Sequence, residues 1–129
     1  MSVALTCIAL LGLLLFALGN AVSFTRRNTA TSIGHSADPS DRLHKLVRAH
    51  GNTAEYAPIL AVLMLALAQG EPAAWVLWCM GLATASRYLI AIGLIVGPTL
   101  AKPQPLRFVG AVGTYVAGLV LSVALLLGI

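Results

Sequence analysis

Followed for its apolar and polar positions, the chain resolves into four long apolar runs separated by three polar breaks. Residues 1–24 hold no charged side chain, which exceeds the roughly 20 residues a helix needs to cross hydrocarbon. A signal peptide would want a basic start, and no Lys or Arg precedes Arg26. The run therefore reads as a retained first membrane helix. Residues 25–37 form a polar loop with Gly34 as its turn. Asp38-Pro39-Ser40-Asp41 then reads as a helix start, with Asp38 as cap, Pro39 at the first helical position and Asp41 at the positive end of the dipole. A second helix is expected over residues 39–69, kinked at Pro58. At ~1.5 Å per residue it is about 45 Å long, so its first turns project beyond the bilayer. Gln69-Gly70-Glu71-Pro72 is a tight turn. The third helix follows to residue 96, with Trp75 and Trp78 at its interfacial start. A loop with three prolines, residues 97–105, leads to the fourth.

These runs predict an all-α fold, an integral membrane four-helix bundle in a single domain. The expected spans are 3–24, 50–69, 73–96 and 106–128, with loops over 25–49 and 97–105. Composition sharpens this: 59% of residues are hydrophobic and 9% charged, against about a quarter charged in soluble domains. The net charge of +4 is unevenly placed, with five of the eight basic residues (Arg26, Arg27, Arg42, Lys45, Arg48) between the first two runs. Lys102 and Arg107 lie between the last two, and Arg87 is inside a run. By the positive-inside rule both basic loops face the cytoplasm and both termini lie outside it. Basic strips interleaved with aromatics are absent, which argues against nucleic acid. Cys7 and Cys79 form no CxxC and give no metal signature.

The candidate chemistry lies where a polar stretch, residues 48–58, runs into the apolar residues 59–68. With Arg48 as zero, a turn of ~100° per residue puts Asp41 near +20°, His44 near −40°, Lys45 near +60°, Asn52 near +40° and Glu55 near −20°. They form one stripe descending from the cytoplasmic end, and lipid cannot satisfy it. His50 points to the opposite side and reads as a packing or capping group. Glu55 stands 14 residues before Gln69 and Arg87 stands 15 after Pro72, so both lie about 21–23 Å from the outer turn. Equal depth on adjacent helices predicts a Glu55–Arg87 salt bridge as the floor of a cytoplasm-facing pocket, with Arg107 nearer its mouth. The competing reading makes the stripe structural glue between helices or subunits. Arg42, Lys45 and Lys102 read as topology or headgroup residues, His35 and His44 as solvated groups, and Tyr56, Tyr88 and Tyr115 as packing residues.

Three arginines, an asparagine and one carboxylate favour an anionic ligand with an amino group. No Ser-His-Asp or Cys-His set, paired carboxylates or P-loop is present. An enzyme built this way would act by electrostatics on its cosubstrate. Arg48-x-His50-x-Asn52-x-x-Glu55-x-x-Pro58, together with Arg87 and Pro105-Leu106-Arg107, resembles the signature of the MAPEG family. These are the membrane-associated proteins in eicosanoid and glutathione metabolism, and the chain looks most like their short bacterial branch. The resemblance implies a homotrimer of the inner membrane with glutathione as cosubstrate, bound between neighbouring subunits at the cytoplasmic side. Asn52 and Glu55 would bind it with Arg48 and Arg87, and Arg107 would stabilise the thiolate. A hydrophobic small molecule would arrive from the bilayer lipids for transferase or peroxidase-type chemistry. Ile90 and Ile92 stand where members often carry a histidine and a tyrosine; Gly51 replaces an arginine, and Arg26 is the nearest match to a first-helix arginine. Those departures motivate an alternative: a non-catalytic membrane protein that binds a lipid or thiol, or a scaffold.

Overall fold

Each apolar run folds as one continuous helix, because a backbone without water must satisfy its own N–H and C=O groups. The computed structural model describes residues 2–129; Met1, where the first run begins, lies outside them. Helix α1 is Val3–Asn28, α2 Arg42–Leu67, α3 Ala74–Val96 and α4 Pro105–Leu127. Helices α1, α3 and α4 are long and apolar enough to cross a membrane. Helix α2 is as long as α1, at 26 residues, but carries the polar stripe.

The ends differ most from expectation in two places. Helix α1 continues past residue 24 and takes Arg26 and Arg27 into its last turn, where cations meet the negative end of the dipole. Helix α2 starts three residues later than expected, because its cap is Asp41 and not Asp38. The Asp41 Oδ1 accepts from the His44 N–H at 2.8 Å. The Asp38 carboxylate is already engaged by the Ser40 N–H at 2.8 Å and the Ser40 hydroxyl at 2.7 Å. That closes a local turn and leaves Pro39 outside the helix. Gln104 caps α4 through Oε1, accepting from the Arg107 N–H at 2.9 Å, with Pro105 at the first helical position.

Helices α3 and α4 share the broadest close interface and α2 and α4 the thinnest. The α3–α4 seam is close because it is built on small residues. A Cβ on Gly110 would come within 2.7 Å of the Ser86 carbonyl oxygen and 2.6 Å of the Ile90 Cγ1. Leu11, Met64, Met80 and Leu121 fill the centre. The outward face is the inverse of a soluble protein's, with Phe16, Trp78 and Leu126 77%, 80% and 84% exposed. Such a surface suits acyl chains. At one end the two basic loops are tied together: the Leu100 N–H donates to the Pro39 carbonyl at 2.9 Å, and Lys45 Nζ to the Gly97 carbonyl at 3.2 Å. That strap sets the mouth of the site.

Candidate functional site

The site is built around Arg87, which is 1% exposed. Its Nη2 donates to the Asn52 Oδ1 at 2.6 Å and to the Asn52 carbonyl at 2.9 Å; its Nη1 reaches the Thr114 Oγ1 at 3.5 Å. The guanidinium lies over the Tyr56 ring, 4.9 Å from its centroid, where the negative face of the π system attracts it. The Nε is buried without a hydrogen-bond partner. All these partners are neutral. The arginine charge is therefore held in place but not cancelled.

The Glu55–Arg87 salt bridge is not formed. Glu55 is exposed, and Asn52 takes its place. Matching depths do not fix which way a side chain points. The buried residues of α2 (Ala49, Thr53, Ala57, Leu60, Met64) centre near +140° on the wheel used above, so Glu55 at about −20° faces away from the bundle. Asn52, near +40°, and Tyr56, near +80°, sit on the edge that α3 can reach.

Above Arg87 a cavity of about 550 Å³ opens beneath the strapped loops. Arg48, Asn52, Arg87 and Arg107 all line it, and Glu55 does not. No Asp or Glu is among its lining residues, so three arginines line one space without an acid. The field there favours an anion. Arg107 is prepositioned, its Nη1 donating to the Leu100 carbonyl at 3.1 Å and the Lys102 carbonyl at 3.5 Å. Gly93 lets it come so close: a Cβ there would lie 2.9 Å from the Arg107 Cγ. His44 lines the mouth and stacks on His35, ring centres 4.0 Å apart.

Other placements refine the reading. Ile90 and Leu94 line the cavity, while Ile92 is 45% exposed elsewhere, because i, i+3 and i+7 from Arg87 share a helical face. His50 packs on α1, its Nε2 3.2 Å from where a Gly19 Cβ would be. Tyr88 donates to the Leu10 carbonyl at 2.9 Å and ties α3 to α1. Tyr56 and Tyr115, read as packing residues, both line the cavity, with hydroxyls 3.4 Å apart. Tyr56 lies four residues after Asn52, and that helical spacing was the available signal. Tyr115 had none.

Apolar helices with a lipid-facing exterior, enclosing a cationic cavity at the loop-bearing end, define an integral membrane protein with an anion-favouring pocket. The MAPEG family model matches residues 4–127, and the chain belongs to that family of membrane proteins, typically related to glutathione. No curated protein and no solved structure matches the chain.

Proposed function

We propose that the protein is a glutathione-dependent membrane enzyme of transferase or peroxidase type, a homotrimer of the bacterial inner membrane with both termini outside the cytoplasm. The observation that carries this reading is the acid-free cavity ringed by Arg48, Arg87 and Arg107. Glutathione brings two carboxylates, an amino group and a thiol. Arg48 and Arg87 suit the carboxylates through charge-assisted hydrogen bonds. Arg87 occupies the Asn52 Oδ1, so what this side chain has left to offer a ligand is its amide N–H groups as donors. Glu55, outside the cavity of its own subunit, serves as the anchor for the amino group at the contact between neighbouring subunits. Arg107, steadied by the Leu100 carbonyl, stands beside the thiol. A cation there lowers the thiol pKa and raises the nucleophilic fraction at neutral pH.

Titration of glutathione into the purified protein, with conjugation of 1-chloro-2,4-dinitrobenzene as the activity, tests this. Arg107→Ala is expected to lower kcat/KM by roughly 10²-fold, the cost of removing one electrostatic stabiliser. Glu55→Gln is expected to weaken binding. Unchanged binding in both variants rejects the site. A second reading, a lipid or thiol binder without turnover, draws on the apolar side of the same cavity, Ile90, Leu94 and Leu100. A native mass spectrum with retained lipid and no glutathione would favour it.

A further inference from the structure

Two further cavities flank the end of α1, and neither shares a lining residue with the arginine cavity. One, of about 320 Å³, lies between α1 and α2 and includes Ser23, Arg26 and His50. The other, of about 540 Å³, shares Ser23 and Arg26 and continues past Arg27 to Thr31 and Ser32. No Asp or Glu lines either. Arg26 is their common wall, and its charge is unanswered. Its Nη2 makes one long bond, 3.4 Å, to the Gly34 carbonyl, and its Nε is buried without a partner. A guanidinium carries five N–H donors, and leaving a buried one unmet is costly. What this group lacks is an acceptor oxygen. The negative end of the α1 dipole lies close by, but Arg26 and Arg27 together outweigh it in the last turn.

Depth along α1 says what kind of anion fits. The apolar run ends at Phe24, so Arg26 stands at the hydrocarbon boundary, where lipid headgroups begin. With Arg26 as zero on the helical wheel, Ser23 falls near +60°, Asn20 near +120° and Phe16 near +80°. All three are exposed, on the side opposite the buried Leu14, Leu18 and Val22. Asn20 is the odd member, a primary amide in an apolar run that packing leaves facing outward. Hydrocarbon cannot satisfy its N–H groups. It lies about 9 Å below Arg26, level with the ester carbonyls of a lipid whose phosphate sits at the arginine. Phe16, about 15 Å below, is level with the acyl chains.

We propose that Arg26 and Arg27, with His50 beside them, bind the phosphodiester of an anionic glycerophospholipid. Its ester carbonyls accept from the Asn20 amide, and its acyl chains lie along Phe16. This site is independent of the glutathione-dependent reading above.

Native mass spectrometry of the full chain in neutral detergent tests it, with dioleoylphosphatidylglycerol and dioleoylphosphatidylcholine titrated separately. The anionic lipid should bind at least ~10-fold more tightly, and Arg26→Gln should remove that margin, as the loss of a charge-assisted contact allows. Arg26→Lys should restore part of it. Asn20→Leu should weaken both lipids alike, because they share the ester. Arg42→Gln removes an exposed cation at the start of α2 and should leave the margin intact. Equal binding of the two lipids overturns the proposal, as does a margin that survives Arg26→Gln. Displacement of the lipid by inorganic phosphate would mean that the site takes a free anion, which overturns the lipid seat. If Arg26→Gln weakens glutathione binding and spares the lipid, the arginine serves the thiol ligand and the proposal falls. A disulfide between copies of Asn20→Cys also overturns it, since a second subunit would then cover this face.

Discussion

Asn52→Asp is the substitution that separates a ligand pocket from a structural brace. The change is nearly isosteric and puts a carboxylate where Arg87 now has a neutral acceptor at 2.6 Å. For the bundle this is favourable or neutral, since a charge-assisted pair contributes about 1 kcal/mol more than a hydrogen bond with one neutral partner. For an anionic ligand it is costly. A negative charge roughly 6 Å from a bound carboxylate, at an effective dielectric of about 20, opposes binding by ~3 kcal/mol. That corresponds to about a hundredfold in Kd. Isothermal titration of glutathione into nanodisc-held protein, beside a thermal melt of the same sample, reads both quantities. The expected result is a Tm equal to or above that of the original chain and a Kd about two orders of magnitude weaker. An intact fold with unchanged affinity would mean that the uncancelled Arg87 charge does not face the ligand, and the electrostatic reasoning would fall.

Two further outcomes follow from local geometry. Gly110→Val should lower the Tm, because its Cβ would stand 2.7 Å from the Ser86 backbone oxygen, a contact that rotamers cannot relieve; overpacking of this kind costs about 1–3 kcal/mol, and an unchanged melt would disprove the closeness of the α3–α4 seam. Outside the bilayer, the Ser40 N–H and hydroxyl hold the Asp38 carboxyl below its ordinary pKa. With the folded pKa depressed, the contribution of this turn is present above the unfolded value and lost as pH falls through the folded one. The Asp38 carboxyl should therefore titrate below the ordinary carboxylate range, and an NMR titration of its side-chain carboxyl carbon with a midpoint at or above the ordinary value would contradict the Asp38–Ser40 bonds.

Much of the protein was legible in its residues because hydrophobic length and helical period are one-dimensional signals. The four runs became four helices, three of them long and apolar enough to cross a membrane, and the stripe from Arg48 to Asn52 appeared on one face by counting alone. Arg87 stood out because a lone cation in an apolar run demands partners. The helix ends were less legible. Asp38 and Asp41 are equally good caps by type, and only the Ser40 turn, which occupies Asp38, decided between them.

Which neighbour each polar group meets was settled by the assembled bundle. Sequence placed Glu55 and Arg87 at one height, and height along an axis is all that spacing can give. Rotation about that axis comes from packing: Ala49, Thr53, Ala57, Leu60 and Met64 turn inward together, and this carries Glu55 outward and brings Asn52 to the guanidinium. The same rotation sets Tyr56 against Tyr115, residues 59 positions apart in the chain. No local pattern joins that pair; it exists because Gly110 and Gly113 let α4 settle on α3 and so bring its face round to α2.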